Sequence, residues 1–376
     1  MTTTTCAERL ARARDELTDR GVDALLIGPS ADLRYLTGYH PPALERLTLL
    51  VVPAKGDARM VVPALEAPLA HEHLGDLDVE LALWRETDDP VALVRGALEA
   101  SGSLSGPLAV GDQLWSTFLL RLQAALPSAE FTVASAVTRQ LRMVKDAAEV
   151  AALARAAAVA DQVVDDLAEV RWAGRSERDV ARELDARVRA VHDETLFVIV
   201  GAGPNSASPH HEPGERVIEP GDAVVIDIGG RLDGYCSDTT RTLVVGEPPD
   251  GFLELYEVLR SAQRAGCAAV RAGVPAEAVD AACREAIAAG GYGEHFIHRT
   301  GHGIGLEAHE DPYIVAGNTD PLAPGMAFSV EPGIYLAGRY GARIEDVVVC
   351  PEPDGVAAQG ARRLNQTSRD LRVVRA

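Results

Sequence analysis

The sequence has 376 residues, 47% of them hydrophobic, which suggests two domains or one large one with ample apolar material for a core. Acidic residues exceed basic ones by 56 − 36 = 20 and no run rich in Lys or Arg occurs, which argues against a nucleic-acid-binding surface. The five scattered cysteines form no CxxC pair, and neither a signal-peptide core nor about 18 uninterrupted apolar residues occurs, so we expect a cytoplasmic protein with reduced thiols and no membrane association.

Residues 1–138 alternate short apolar runs with amphipathic segments, a pattern typical of a small α/β domain. The first segment is predicted to be a helix because Leu10, Ala13, Leu17 and Val22 recur on one helical face. The further predicted elements are strands at 24–28, 47–53 and 58–63, helices at 65–74 and 89–100, and a buried strand at 106–112.

Three histidines, His40, His71 and His73, lie in this first part of the chain. The HEH sequence offers two of them as a ligand pair, but no third ligand follows at a recognisable spacing. We therefore interpret all three as surface or core histidines.

From residue 139 the composition changes to Ala, Glu, Arg and Val at helical spacing, and we place a second domain at 139–376. Its predicted elements are helices at 144–170 and 176–194, a strand at 195–203, a hairpin at 222–245, helices at 252–273 and 275–291, and strands at 327–338 and 341–350. The order helix, helix, strand and hairpin thus occurs twice. Although no residue-level repeat is visible, this order predicts two related halves around one site.

The stretch 222–242 is predicted to form two strands around a turn that contains the signal Asp-Gly. Each strand carries an aspartate where a hydrophobic residue is expected, Asp227 and Asp238. Their positions are symmetric about the midpoint between Leu232 and Asp233, so a hairpin without a bulge places them directly opposite each other. Two buried, opposed carboxylates repel each other unless a cation lies between them, which predicts a metal site.

A second carboxylate pair, Glu331 and Glu345, is symmetric about Gly338 within another predicted hairpin. The acidic residues of both pairs have apolar neighbours in sequence, so a solvated acidic surface does not explain them together. Oxygen-rich ligation suits Mn²⁺, Mg²⁺ or Zn²⁺, and four carboxylates exceed the needs of one tetrahedral zinc. The sequence therefore predicts two cations about 3.5–4 Å apart, bridged by shared carboxylates and a water.

Histidines cluster between the hairpins in the segment HFIHRTGHGIGLEAHE. The GHGIG loop leaves little side-chain bulk around His302, which can approach a metal as a neutral imidazole. His298 and His302 have the i, i+4 spacing of an HExxH zinc helix, but Arg299 replaces the glutamate and Gly301 breaks the helix, so we reject that motif. GHGIG and GAGPNS also lack the complete motif of a dinucleotide-binding loop.

A histidine pair, His210 and His211, lies in a loop directly before the first acidic strand. A loop histidine beside a metal centre can stabilise an oxyanion or carry a proton. Spacing alone supports a solvent-exposed pair equally well, so the residues leave both interpretations open.

Four sequence blocks follow one another in the second part of the chain: PHHEPGERVIEPGDAVVIDIGGRLDGYCSDTTRT, HRTGHGIGLEAHE, SVEPGIY and RIEDVVV. The pita-bread metallopeptidases have similar blocks in the same order, so residues 145–365 resemble that family. The family includes methionine aminopeptidases, aminopeptidase P, prolidases (Xaa-Pro dipeptidases) and the creatinase relatives. The N-terminal YLTGY and the α/β pattern resemble the amino-terminal domain of the prolidase and aminopeptidase P branch. The resemblance implies an α/β N-terminal domain followed by an α+β pita-bread catalytic domain with pseudo-twofold halves.

The resemblance also implies a set of metal ligands, namely Asp227, Asp238, His302, Glu331 and Glu345. Asp227 matches the ligand of one metal, Asp238 and Glu345 match ligands that bridge both, and His302 and Glu331 complete the second. Glu331 further resembles the general acid/base that takes a proton from the nucleophilic water.

Other residues match positions that act on the substrate. His210, rather than His211, matches the family's active-site histidine, and His309 matches the histidine that contacts substrate or stabilises the tetrahedral intermediate. Arg343 matches an arginine that in prolidases holds the substrate carboxylate or the ligand network. Tyr335 and His298 are candidates for contacts around the ligands.

The branch of the family follows from the extent of the resemblance. Methionine aminopeptidases lack an N-terminal domain of this kind, creatinases lack the full metal set, and the larger aminopeptidase P enzymes carry a longer N-terminal domain. A chain of 376 residues is closest to compact bacterial and archaeal prolidases. The implied reaction is hydrolysis of the Xaa-Pro bond in dipeptides, so the partner is a small peptide with proline at its second position.

The resemblance further implies two divalent ions, Mn²⁺ in preference to Co²⁺ or Zn²⁺, and a homodimer. Two alternatives stay open. One is an Xaa-Pro aminopeptidase that acts on longer peptides. The other is a metal-free pita-bread protein that binds a partner, which the intact ligand set and the acidic net charge argue against.

Overall fold

The structure, a computed structural model, describes residues 3–353 and 360–376. They form two compact units, Met1–Arg142 and Met143–Ala376. The domain boundary that the sequence predicts after residue 138 lies inside the helix Ser135–Met143, which also contains the division between the units. No helix in the described part of the chain is both long enough and apolar enough to cross a membrane.

The first unit is built on a six-stranded sheet with the strand order β4-β3-β2-β1-β5-β6. Its strands are β1 (Ala24–Ile27), β2 (Leu49–Pro53), β3 (Ala58–Pro63), β4 (Val79–Trp84), β5 (Pro107–Val110) and β6 (Glu130–Val133). Its helices are α1 (Thr3–Arg20), α2 (Ala31–Thr37), α3 (Ala67–Leu74), α4 (Pro90–Ala100), α5 (Ser116–Ala125) and α6 (Ser135–Met143). The sequence does not predict β4 and β6, because these edge strands bury few side chains and therefore lack apolar runs.

The second unit contains four α-helices and twelve strands within its described residues. The helices are α7 (Ala147–Asp165), α8 (Glu177–Val191), α9 (Phe252–Ala269) and α10 (Ala276–Ala289). The strands are β7 (Glu194–Ala202), β8 (Ala223–Leu232), β9 (Tyr235–Cys236), β10 (Thr239–Val245), β11 (Gly301–Gly303), β12 (Glu310–Ile314), β13 (Ala327–Val330), β14 (Gly333–Leu336), β15 (Tyr340–Arg343), β16 (Asp346–Val349), β17 (Arg362–Arg363) and β18 (Arg372–Val374).

Each half of this unit packs a helix pair against a sheet. In the first half, α7 and α8 cover the sheet β18-β10-β8-β7, and Val164, Leu184 and Ile226 share one core. In the second half, α9 and α10 cover the sheet β12-β11-β13-β16-β17, with Leu259 and Phe328 in the core. Burial of each such side chain contributes about 1.5–3 kcal/mol. The duplicated order of elements that the sequence predicts is therefore present as two helix-covered sheets.

The first acidic hairpin differs from its prediction. Its turn consists of Asp233 and Gly234, whose φ values of 52° and 92° are the positive angles that a two-residue type I′ turn requires. The register is centred on these residues, so Asp227 pairs with Thr240. The prediction that Asp227 and Asp238 are directly opposed is wrong, because the turn lies one residue later than the symmetry of the sequence indicates. Since side chains alternate with a period of two, Asp238 stays on the same face, diagonal to Asp227.

The second acidic hairpin keeps its predicted register. Strand β13 pairs with β16, and β14 pairs with β15, in one continuous register. Glu331 and Glu345 lie between these two ladders at positions opposite each other, as the sequence predicts. Gly338 at the loop apex has φ 74°, a left-handed conformation that a three-residue hairpin loop commonly assigns to glycine.

Candidate metal centre

Five side chains from separate parts of the second unit converge on one place. Asp227 lies on β8, Asp238 follows β9, His302 lies on β11, and Glu331 and Glu345 lie in the second acidic hairpin. Their ligand atoms form three overlapping groups, each within 4.8 Å: Asp238 with His302 and His309, His302 with Glu331 and Glu345, and Asp227 with Asp238 and Glu345. The structure thus brings together the five residues that the sequence predicts as ligands, and it adds His309 to one group.

The backbone of β11 brings His302 into the cluster. A Cβ on Gly301 or Gly303 would lie 1.9 Å or 2.1 Å from a carbonyl oxygen of a neighbouring strand, so only glycine permits this approach. The Nδ1–H of His302 donates to the Gly303 carbonyl at 3.1 Å, which makes Nε2 the ligand atom. That Nε2 lies 3.2 Å from Glu331 Oε1 and 3.6 Å from Asp238 Oδ2.

In two carboxylates of the cluster, one oxygen accepts a hydrogen bond and the other is bare, that is, without a hydrogen-bond partner. Asp227 Oδ2 accepts from Arg343 Nη2 at 2.7 Å, and Glu345 Oε2 accepts from Thr240 Oγ1 at 2.7 Å. Asp227 Oδ1 and Glu345 Oε1 are buried and have no hydrogen-bond partner. A buried acceptor without a partner costs about 1–3 kcal/mol, which ligation by a cation would offset.

The electrostatics of the cluster favour binding of a cation. Burial raises the pKa of Asp238 well above its usual range, and the charges of Glu345 and Asp227 raise it further. Burial likewise raises the pKa of Glu345, with Glu331 and Asp227 adding to the effect. For Glu331 burial acts upward too, but the hydrogen bond and charge of His302 outweigh it and lower the pKa to about 2.

The cluster has the donor atoms that a divalent cation requires. It contains two bare carboxylate oxygens, two further carboxylates and an imidazole nitrogen, and each of its three groups of ligand atoms lies within 4.8 Å. Oxygen donors with a histidine suit divalent ions such as Mn²⁺, Co²⁺ and Zn²⁺. The residues therefore fit divalent cations.

Arg343 is buried beside the cluster and is bonded within the protein. It donates from Nη2 to Asp227 Oδ2 at 2.7 Å and from Nε to Thr240 Oγ1 at 3.1 Å. Its Nη1 donates to the Pro209 carbonyl and to the Tyr335 hydroxyl, both at 3.1 Å. Four of the five N–H groups of a guanidinium are thereby used, so this arginine orders the surroundings of the ligands.

A hydrogen-bonded chain continues from Arg343 to the cavity wall. The Nδ1–H of His298 donates to the Arg299 carbonyl at 2.7 Å, which makes Nε2 the acceptor of the Tyr335 hydroxyl at 2.8 Å. Burial lowers the pKa of His298 and raises that of Tyr335 to about 12. Both side chains therefore stay neutral near pH 7 and hold the arginine in place.

A cavity of about 540 Å³ opens beside the five ligand candidates. Its wall includes the apolar side chains of Phe197 and Ile199 and the rings of His210 and His309. The His309 ring centroid lies 4.0 Å from that of His302. Burial lowers the pKa of His309 to about 4, and the neighbouring His302 and Arg299 act in the same direction.

The two histidines of the PHHE segment have different surroundings. His210 lines the cavity. His211 instead donates from Nε2 to Glu177 Oε2 at 2.8 Å. The structure thus places at the cavity the histidine that matches the family position and places its neighbour against the start of α8.

Two residues of the site were not predicted from the sequence. Thr240 joins Glu345 to Arg343 by hydrogen bonds, and its position opposite Asp227 follows only from the observed register. Arg299 lines the cavity with its guanidinium 4.5 Å from the centroid of the Tyr313 ring, and it makes no ion pair with the described residues. Its location three residues before His302 is the signal that could have singled it out.

Comparison with known families gives matches over most of the chain. The model described as "Metallopeptidase family M24" matches residues 151–352, and the model described as "Creatinase/Prolidase N-terminal domain" matches residues 9–144. Together they cover both compact units.

Individual proteins match over nearly their whole length. The "Probable dipeptidase PepE" of Mycobacterium tuberculosis is 46% identical over 98% of this chain and 96% of its own. The "Xaa-Pro dipeptidase" of Lactobacillus helveticus is 35% identical over 97% of this chain and 98% of its own. The crystal structure of dipeptidase PepE from Mycobacterium ulcerans superposes with a TM-score of 0.92 at 45% identity, covering 100% of both chains.

Proposed function

Because the chain belongs to metallopeptidase family M24, and is therefore a metal-dependent peptidase, we propose that it hydrolyses the Xaa-Pro bond of dipeptides and releases proline. The names of full-length relatives support a dipeptidase and, for one of them, an Xaa-Pro dipeptidase. The observation that carries the proposal is that one cavity wall combines bare carboxylate oxygens with the guanidinium of Arg299, which makes no ion pair with the described residues.

We propose two divalent ions, with Mn²⁺ as the native metal. The ligands are Asp227, Asp238, His302, Glu331 and Glu345. Asp238, His302 and Glu345 each occur in two of the three ligand groups, so these three residues would lie between the two ions. When bound, the ions lower the pKa of a water and polarise the scissile carbonyl.

The side chains around this site transfer a proton and stabilise the developing charge. Glu331 lines the cavity, so its carboxylate can take a proton from the attacking water and pass it to the proline nitrogen that leaves. His309, neutral near pH 7 because its pKa is about 4, donates an N–H to the carbonyl oxygen as negative charge develops there. His210 faces the same cavity and assists in this stabilisation. Arg343 holds the ligand network.

We assign the preference for a dipeptide to other residues that line the cavity. Phe197 and Ile199 provide apolar surface for the proline ring. In an Xaa-Pro dipeptide the proline residue itself carries the terminal carboxylate. A cationic side chain close to the bound proline ring can therefore reach that carboxylate. Arg299 is such a cation, and an arginine binds a carboxylate through two parallel hydrogen bonds. A longer peptide has no carboxylate at this place.

The experiment that tests the proposal compares Ala-Pro with Ala-Pro-Ala, in the wild type and in Arg299→Met, with Mn²⁺ present. We expect the wild type to have the higher kcat/KM for Ala-Pro. The variant should lose roughly 10–100-fold on Ala-Pro, since a charged hydrogen bond contributes about 1.5–3 kcal/mol, and much less on Ala-Pro-Ala.

The matched control is Arg12→Met, which removes an exposed arginine of α1 and should change neither substrate. Hydrolysis of only the longer peptide would identify the protein as an Xaa-Pro aminopeptidase instead. Equal losses of Arg299→Met on both peptides would show that this arginine does not bind the dipeptide carboxylate.

We further propose that residues 139–376 form the catalytic domain, that the protein is cytoplasmic and that it assembles as a homodimer. All five cysteines are buried and unpaired, which suits a reducing compartment. In the first unit, Trp115 and Leu120 expose 44% and 64% of their surface, and a contact between subunits would cover such residues.

A further inference from the structure

Glu177 forms a buried anchor at the start of α8. It is fully buried and directly follows Ser176, whose side chain caps the helix by accepting from the Asp179 N–H. Its two carboxylate oxygens accept from four groups: the Ala202 N–H at 2.8 Å, the Asn205 amide at 3.0 Å, the Gly214 N–H at 3.2 Å and His211 Nε2 at 2.8 Å. Apart from the Ala202 N–H, all of these donors belong to the segment 203–214.

Backbone hydrogen bonds also join the end of this segment and the residues directly after it to the start of α8. The Glu177 N–H donates to the Arg216 carbonyl, and the Arg178 N–H donates to the Gly214 carbonyl, each at 3.0 Å. On the other side, the Pro209 carbonyl accepts from Arg343 Nη1 at 3.1 Å. Both neighbours of His210 are therefore fixed, Pro209 by the metal-site arginine and His211 by the buried glutamate.

His210 itself is not fixed by its own ring. The ring lines the cavity and makes no hydrogen bond with the described residues. Its orientation toward the substrate must therefore come from the backbone that carries it. A shift of about 1 Å in such a group can reduce a rate roughly 100-fold.

We propose that His211 and Glu177 are a positioning pair, or clamp, that holds His210 at the cavity. His211 does not contact substrate in this account, and it acts only by tying its backbone to α8. The inference rests on the proposed function, because it assigns His210 a role in that reaction. It explains why two adjacent histidines have unequal surroundings.

The experiment measures kcat and KM for Ala-Pro in His210→Ala, His211→Ala, His211→Gln and the double variant His210→Ala/His211→Ala. We expect kcat to fall roughly 100-fold in His210→Ala, the loss typical of a group that stabilises negative charge as it develops on the carbonyl oxygen. In His211→Ala kcat should fall about tenfold, with KM changed less than about twofold, and the double variant should be no slower than His210→Ala. His211→Gln keeps an N–H donor for Glu177 and should recover most of the wild-type rate.

Multiplicative losses in the double variant would overturn the proposal, because they would show that His211 acts independently of His210. His71→Ala, which removes an exposed histidine of α3, is the matched control and should leave both constants unchanged. Bound metal should be equal in all of these variants.

Amide hydrogen exchange separates failure of this inference from failure of the proposed function. Removal of the clamp should make peptides within 203–214 exchange at least about tenfold faster in His211→Ala, while His211→Gln and the rest of the chain stay as in the wild type. Inertness of the wild type toward peptides would refute the proposed function, and with it a catalytic use of the clamp. Unchanged exchange in an active His211→Ala would refute the clamp alone.

Discussion

Asp238→Asn is expected to reduce hydrolysis of Ala-Pro by roughly 1000-fold, because loss of metal-ion catalysis forfeits several kcal/mol of transition-state stabilisation. Asp238 belongs to two of the three groups of ligand atoms, and its Oδ2 lies 3.6 Å from His302 Nε2. Asparagine keeps the shape of the side chain but supplies one neutral oxygen in place of two that share a charge. Both metal content and kcat should therefore fall together.

The fold should tolerate this substitution. Burial and the charges of Glu345 and Asp227 raise the pKa of Asp238 well above its usual range, so its charge is unfavourable when no cation is bound. The metal-free variant should consequently melt no earlier than the metal-free wild type. A loss of activity no larger than that of His211→Ala, about tenfold, would contradict the role of Asp238 as a ligand.

Asp346→Asn is expected to destabilise the second unit by about 3–5 kcal/mol, the usual cost of leaving buried charges without their partner. Although it is adjacent to Glu345, strand alternation directs Asp346 away from the metal cluster. It is fully buried and accepts from Arg241, Arg363 and Arg369 at 2.7 Å, 2.9 Å and 2.7 Å. Burial alone would raise its pKa, but these guanidinium groups lower it to about 2.

Calorimetry can follow this change as the midpoint of thermal unfolding, which should fall by roughly 10 °C. The control is Asp233→Asn, which breaks an ion pair with Arg155 whose side chains are 64% and 55% exposed. Such a pair contributes at most about 1 kcal/mol, so the control should melt within a few degrees of the wild type. Similar shifts in both variants would mean that the buried arginines find other partners.

The ligand set could be predicted because each acidic residue interrupts an apolar strand. Asp227 and Glu345 are local anomalies, visible without knowledge of the fold. The register of the first hairpin was predicted wrongly because the symmetry of the two aspartates centres the turn one residue too early, although Asp-Gly itself marks the two central residues of a type I′ turn. The observed partner of Asp227 lies two residues beyond the predicted one. Because side chains in a strand alternate with a period of two, Asp238 still lies on the predicted face of the hairpin.

The supporting contacts could not be predicted, because they join positions that are distant in sequence. Thr240 and Glu345 are separated by 105 residues, and His211 and Glu177 by 34. No periodic pattern encodes such pairs, because each depends on how separate elements pack in three dimensions. For the same reason, spacing alone did not distinguish His210 from His211, whereas their different contacts do.

The most direct test of the metal-site account is a titration of chelator-treated protein with Mn²⁺, in which bound metal and Ala-Pro hydrolysis are measured on the same samples. The account predicts two ions per chain, no hydrolysis without metal and recovery of activity as the site fills. Protein that binds no divalent ion and stays inert toward peptides after Mn²⁺ addition would contradict it.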